Sequence, residues 1–296
     1  ANYQDAIERT RQRLEQLTRQ QKTCYDENDP DLPELLRIAA GDTNLAGEAV
    51  PSARLWERRP DDPDFLTLRL GRGDRQTSLT LKLPSVSMYT SDAGESFQLA
   101  AQYQLVRNVP VGASLRSIGS LGIAGPSGRG LNMLQSLLWQ IAVHHSPSEV
   151  RIAAFWDSAF DDSWEWLRWL PHTRPLDGDD SYRLLARYDR NPEDLFEVAD
   201  ALTKELKRRS EDDQSSRPRP HLVVVMSNHH LHRDRHPILT QCITAQGLDV
   251  SAICLVPEVR DVPSECGGYI DLNHSGSATH TRLGVSGVGG GYTVFN

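Results

Sequence analysis

The sequence predicts an α/β fold, with a mainly parallel sheet held between two layers of helices, and three observations carry that expectation. Between Ser120 and His145 a short apolar run (Leu121, Ile123, Ala124) stops at Gly125-Pro126, and Leu131, Leu134, Leu137, Leu138 and Ile141 then recur at helical spacing. From Leu121 onward, strand-length apolar runs alternate with helical patterns, the order that parallel βαβ units require. The run His221 to Met226 (HLVVVM) reads as the most hydrophobic strand in the chain.

Composition narrows the function classes. The chain has 296 residues, enough for one large domain with appendages. No apolar run approaches the ~20 residues of a membrane span, and no signal-peptide pattern opens the chain, so any membrane link is expected outside it. A net charge of −8 speaks against wholesale binding to nucleic acid or acidic lipid. The four cysteines (Cys24, Cys242, Cys254, Cys266) include no CxxC pair, so neither a disulfide framework nor a zinc site is indicated; reduced, mostly buried thiols of a cytosolic protein are the reading.

From Ala1 to about Tyr25, Tyr3, Ile7, Leu14, Leu17 and Cys24 fall on a loose three-four alternation in a Gln/Arg/Glu-rich helix. It suits a stalk or a helix laid against its own domain, and the polar Thr10 and Gln21 on its seam argue against an isolated coiled coil. Asn28 to Pro33 breaks the pattern, Leu32 to Ala40 suits a second short helix, and Gly41 to Ser52 is a connector. Phe65, Leu66, Leu68 and Leu70 suggest a strand ending at Gly71; Leu79, Leu81 and Leu83 alternate as the next one, which makes a β-rich lead-in. Arg72-Gly73-Asp74, a tripeptide known from cell adhesion, is read as a turn.

The stretch Gly125-Pro126-Ser127-Gly128-Arg129-Gly130 carries the functional question. Strand, glycine-rich loop and helix in that order let backbone N–H groups converge on an anion at a helix N-terminus. Gly125 and Gly130 have the separation of G-x-x-x-x-G-K-[ST], but Leu131 and Asn132 follow where a working phosphate loop needs a Lys for the β/γ-phosphates and a hydroxyl for Mg²⁺. The candidate nucleotide-binding residues of this degenerate loop are Gly125, Ser127, Gly128, Arg129, Gly130 and Asn132. A serine hydrolase at Ser127 would need glycines two residues to either side; Gly125 fits and Arg129 does not.

Beyond the loop, the helix is expected to stop at Ser146-Pro147, and Val150 to Trp156 reads as a buried strand ending at Asp157. Trp164, Trp166, Leu167, Trp169 and Leu170 fall on a short helical segment closed by Pro171-His172, suited to core packing or to docking. Arg183 to Ala186 suits a short strand, Asn191-Pro192 starts a helix through Leu206, and Ser210 to Pro220 is a polar linker. The HLVVVM strand exits into Ser227 and Asn228, where a phosphate-loop enzyme would place an acidic side chain. His229, His230, His232, His236 and Asp234 form a histidine-rich stretch, read as solvated rather than metal-binding. A helix from Pro237 to Gln246, strands at Val250 to Val256 and Tyr269 to Leu272, and a glycine-rich hairpin from Leu283 to Val294 complete the pattern.

Several blocks together, WERRPDDPDFLTLRLGRG, GPSGRGLN, HHSPSEVRIAAF, WEWLRWLPHT, RPHLVVVMSN and VPSECGGYIDL, resemble the first cytosolic domain of the FtsK/SpoIIIE-type ATPases of type VII secretion systems, the EccC/EssC family. The resemblance covers nearly the whole chain. It implies a P-loop (RecA-like) ATPase fold over residues 53–296, with the β-rich lead-in at 53–115, behind a juxtamembrane helical stalk and connector at 1–52. It also implies the cytoplasmic face of the bacterial cell membrane, anchoring through helices outside this chain, and assembly with other domains and subunits of an oligomeric motor that exports proteins. ATP and Mg²⁺ are the family's cofactors; only Gly125 and Gly130 of its nucleotide motif carry over, so no cofactor and no catalytic residue is assigned. The expected role is a non-hydrolysing coupling domain; the alternatives are an ATPase active within an oligomer and a DNA translocase, the latter opposed by the acidic balance.

Overall fold

The computed structural model describes residues 3–81, 91–157, 160–176, 178, 181–187, 192–211, 219–227, 236–245, 247–272, 277–281 and 292–295. In chain order its elements are α1 (Tyr3–Asn28), α2 (Leu32–Ala40), β1 (Asp42–Thr43), β2 (Ala49–Val50), β3 (Thr67–Gln76), α3 (Ser91–Gln102), β4 (Leu105–Ser114) and α4 (Leu115–Ile118). Then come β5 (Ser120–Ala124), α5 (Ser127–His144), β6 (Val150–Trp156), α6 (Asp161–Trp164), β7 (Leu185–Arg187), α7 (Pro192–Glu211), β8 (His221–Ser227), α8 (Pro237–Thr244), β9 (Val250–Val256), β10 (Gly268–Asp271), β11 (Ser277–Thr281) and β12 (Tyr292–Phe295). β1 and β2 form a small hairpin; the other ten strands make one sheet in the order β4-β3-β12-β11-β10-β5-β9-β8-β6-β7. The six strands from β10 to β7 run parallel, and the flank from β11 to β4 is antiparallel.

Alternation along the parallel strands divides the core into the three layers that the sequence predicts. Leu121, Ile123, Ile152, Val223, Val225 and Ile253 meet Leu134, Leu137, Leu138 and Ile141 of α5 on one face. On the other, Phe155, Leu222, Val224 and Met226 meet Leu195, Val198 and Leu202 of α7 and Ile238 and Ile243 of α8. The indole-rich segment after β6 contributes two stacked pairs, Trp156 with Trp164 at 5.9 Å and Trp139 with Trp166 at 4.9 Å between ring centroids. Trp164 is fully buried, whereas Trp169 is 83% exposed, so this one segment both packs and presents a surface.

The N-terminal helix is laid against the domain. Ile7 and Leu14 cluster with Leu99, Leu79, Leu81 and Tyr103. At its other end a set of guanidiniums grips the elbow between α1 and α2. Arg58, 3% exposed, donates to the carbonyls of Thr67 and Asn28 (both 2.6 Å) and pairs with Asp29 (3.4 Å) and Asp64 (3.2 Å). Arg69 Nη1 donates to the Asp29 carbonyl at 2.9 Å, Arg72 pairs with Asp26 at 2.8 Å, and Arg75 lies 4.2 Å from the Tyr25 ring centroid. Cations here suit the negative end of the helix dipole.

The lead-in departs from expectation in three places. β3 does not stop at Gly71: it runs to Gln76, and bulges between Arg69 and Gly71 and between Gly73 and Arg75 absorb the glycines. Arg72-Gly73-Asp74 is therefore strand interior, not a turn. Leu79 and Leu81 form no strand; they sit under α1, while Leu83 lies outside the described residues. Residues 91–102, taken as part of a β-rich region, are the helix α3. Strands β6 and β9 match their expected bounds, and β11 pairs antiparallel with β12, with most of the expected Leu283 to Val294 segment outside the described residues. Asn191, Gln246, Asn228, His229, His230, His232, Asp234 and residues 212–218 of the expected linker also lie outside.

Candidate functional site

β5 delivers the loop to the crevice at the C-terminal ends of the parallel strands, where α/β sheets bind ligands. The connection to α5 is only Gly125-Pro126, because Ser127 already opens the helix and Gly130 N–H donates back to the Pro126 carbonyl at 2.9 Å. The last four positions of the expected phosphate loop are thus wound into the first helical turn. Pro126 is the N-cap, and its side chain makes no cap hydrogen bond to the first-turn amides.

Packing accounts for two of the glycines. A Cβ on Gly125 would lie 2.7 Å from Leu272 Cβ, and one on Gly130 would lie 2.5 Å from Leu255 Cδ1, so α5 and β5 approach their neighbours only because both side chains are absent. Gly128 has no atom within 4 Å of the corresponding position and faces open space.

The six sequence-predicted residues do not share one cavity. Gly125 and Ser127 line the strand-end crevice with Leu131, Asp157, Phe160 and Ser227, a space of about 90 Å³. That is below the ~300 Å³ where small-molecule sites begin. Arg129 and Asn132 line a separate space of about 350 Å³ between α5, β3 and the α1–α2 elbow, beside Asp31 and Arg69. Burial and the nearby Arg72 hold the Arg69 guanidinium below its ordinary pKa. Gly130 is buried on the face of α5 that packs on Leu255 of β9. Helix geometry explains the division: positions four apart, such as 127 and 131, share a face, whereas 129 and 132 lie on another.

Ser227 stands at the crevice where β8 was expected to deliver it. Asp157, which follows β6 and is absent from the six candidate residues, lines the same crevice. The signal that could have found it is positional: in a parallel sheet, residues just past neighbouring strands converge. Among the described residues no group of three or more His, Cys, Asp or Glu side chains could hold a metal ion, and no helix is long and apolar enough to cross a membrane.

The C-terminal end of α5 is organised by the blocks that carry the resemblance. Trp56 donates its indole N–H to the Ala142 carbonyl (3.1 Å) and its amide to Val143 (2.8 Å), and the Arg58 amide reaches His144 (3.0 Å). His172 Nε2 donates to the His145 carbonyl at 2.8 Å. The His145 ring donates from Nδ1 to Ile141 (3.1 Å) and accepts the Leu66 amide at Nε2 (3.0 Å), which fixes its neutral tautomer. Burial pushes His144 down to about 2, His145 to about 3 and His221 to about 4, and lowers His172. Glu57, 3.7 Å from His144 Nδ1, leaves that imidazole neutral.

No protein-family model matches the chain. It is 29% identical over 233 residues to the ESX secretion system protein EccC of Thermomonospora curvata, covering 76% of this chain and 16% of that protein. It is 23% identical over 235 residues to the ESX secretion system protein EccC of Geobacillus thermodenitrificans, covering 77% and 15%. The chain therefore spans about a sixth of the length of these curated relatives. Among solved structures, EssC (ATPases 2 and 3) from Geobacillus thermodenitrificans superposes with a TM-score of 0.53 at 14% identity, over 84% of this chain and 47% of that one, and shares its fold.

Proposed function

We propose that this chain, a relative of the EccC and EssC secretion proteins, is the first cytosolic ATPase-like domain of a membrane-anchored type VII secretion motor and that it couples the membrane assembly to the ATPase domains following it without hydrolysing ATP. In this reading the region 1–52 faces the membrane, the domain works on its cytoplasmic side, and neighbouring domains and subunits of an oligomer are its partners.

The observation that carries the reading is the first turn of α5. Leu131 and Asn132 offer neither the ammonium nor the hydroxyl that a triphosphate and Mg²⁺ require, and the crevice that Leu131 lines holds about 90 Å³. Titration of the purified chain with a fluorescent ATP analogue, with and without Mg²⁺, is expected to give no saturable Mg²⁺-dependent signal, and Mg-ATP turnover is expected at background. Turnover that survives repurification and falls on Asp157→Asn would overturn the proposal.

Asp157 supports a second reading, an ATPase completed by a neighbouring subunit, because it puts a carboxylate in the crevice beside Ser127. Turnover appearing only in the full-length oligomer, and lost there on Asp157→Asn, distinguishes it. A DNA translocase would have to bind a polyanion with a net charge of −8 and finds no support in this surface.

A further inference from the structure

The space of about 350 Å³ beside Arg129 and Asn132 is separate from the strand-end crevice, and its volume falls in the ~300–1,000 Å³ range of small-molecule sites. Three elements enclose it. α5 lines it with Arg129, Asn132, Ser136 and Gln140, positions three or four apart and therefore on one face of the helix. β3 supplies Arg69 and Leu70, and the elbow before α2 supplies Asp31. A polar stripe on a helix that faces an internal space, rather than bulk water, leaves its donors to whatever occupies that space.

Arg69 is the residue around which the space is built. Buried Gln140 clamps its backbone from both sides: the Gln140 Oε1 accepts the Arg69 N–H at 2.6 Å and the Gln140 Nε2 donates to the Arg69 carbonyl at 3.0 Å. The half-buried guanidinium uses Nη1 on the Asp29 carbonyl, while its Nε–Nη2 edge has no acceptor among the described residues. That edge carries two parallel N–H groups, the fork that matches the two oxygens of a carboxylate. An anion there would offset both the burial and the Arg72 charge that depress the Arg69 pKa. The neighbouring acids are engaged elsewhere: Asp26 pairs with Arg72, Asp29 pairs with Arg58 and Arg75, and Asp31 caps α2 by accepting the Glu34 N–H at 3.2 Å. The lining itself sets two guanidiniums, Arg69 and Arg129, against the single carboxylate of Asp31.

From these features we infer that the space binds a small organic carboxylate, its two oxygens on the Nε–Nη2 edge of Arg69 and its apolar body against Leu35, Leu70 and Met133. The Asn132 amide and the Ser136 hydroxyl add neutral donors, and Arg129 adds a second positive charge. A ligand so held touches α5, β3 and α2 at once and ties the elbow to the core. The inference goes beyond the proposed function and is independent of whether nucleotide binds at the strand-end crevice.

The test titrates the intact chain, by ligand-observed nuclear magnetic resonance, with three probes of similar size: benzoate, phenyl phosphate and the cation benzamidine. Benzoate is expected to bind saturably and about tenfold tighter than benzamidine, with phenyl phosphate no tighter than benzoate. Arg69→Lys keeps the charge but removes the fork, and is expected to weaken benzoate about tenfold with the circular-dichroism spectrum unchanged. Asn132→Ala alters an exposed side chain, so it serves even where Arg69→Lys does not fold, and about a threefold loss is expected. Lack of saturable benzoate binding, equal binding of benzamidine, a preference for phenyl phosphate, or an affinity that neither variant changes would overturn the inference. So would Mg²⁺-dependent displacement of benzoate by ATP, which would make the space part of a nucleotide site.

Discussion

At the C-terminal end of α5 every carbonyl from Ile141 to His145 accepts a hydrogen bond, from Trp56, Arg58, His145 and His172, whereas at the N-terminal end the N-cap is Pro126, whose side chain makes no cap hydrogen bond. The two ends lie 18 helical residues apart on one rod. The WERRP and WLPHT blocks, which carry the resemblance to secretion ATPases, converge on the capped end, and that end is held by contacts remote from the strand-end crevice.

Acid is the strongest perturbation of the capped end. Four buried imidazoles (His144, His145, His172, His221) cluster around the capped end, with pKa values depressed by burial. The unfolded chain takes up protons below about pH 6.5 while the folded chain resists, so their contribution is intact above that pH and is lost on acidification. With His144, His145 and His221 at ~1.4 kcal/mol per pH unit each, the steepest loss is about 4 kcal/mol per unit between about pH 6 and 5, before folded His221 begins to titrate, and His172 adds to it in the same direction. Urea unfolding midpoints measured across that range check it; a flat profile would mean that the histidines are not neutral and buried.

Next in size is Arg58→Met, which removes the guanidinium holding Asn28, Asp29, Asp64 and Thr67 together; about 3 kcal/mol of destabilisation is expected by chemical denaturation. At the opposite end Gly125→Ala forces a methyl into Leu272 and is expected to cost about 2 kcal/mol. Gly130→Ala meets only the tip of the Leu255 side chain and gains about 1 kcal/mol of helix propensity, so its net effect should stay within about 1 kcal/mol. The smallest change sharpens the contrast: Pro126→Ser supplies the missing cap and is expected to stabilise by about 0.5 kcal/mol after the lost proline rigidity is subtracted.

What was legible in the sequence follows from burial. β6, β8 and β9 are enclosed on both faces, so continuous apolar runs announced them, two of them to the residue. α3 went unread because SDAGESFQLAAQ has few apolar positions to set a period, and β3 was cut short because its glycines, ordinarily turn signals, sit at bulges. In the candidate site, spacing correctly foresaw the strand, the glycine stop and the helix. It did not foresee that the helix starts at Ser127, and that rotation is what sends Arg129 and Asn132 to one cavity and Ser127 to another. Asp157 was invisible as a site residue because its neighbours there come from β5, β8 and β9, which are remote in sequence.

The arrangement of the indoles has an optical consequence. Four of the six tryptophans are held in two stacked pairs, one with ring planes nearly parallel at 4° and the other at 17°. Transition dipoles held that close exchange excitation, so the folded chain should carry a split circular-dichroism band in the near ultraviolet that vanishes once either pair separates. Trp169, standing outside both pairs, should emit as a solvated indole. The molecule thus holds internal signals for its own core and an external one for whatever settles on its surface, with no dye attached.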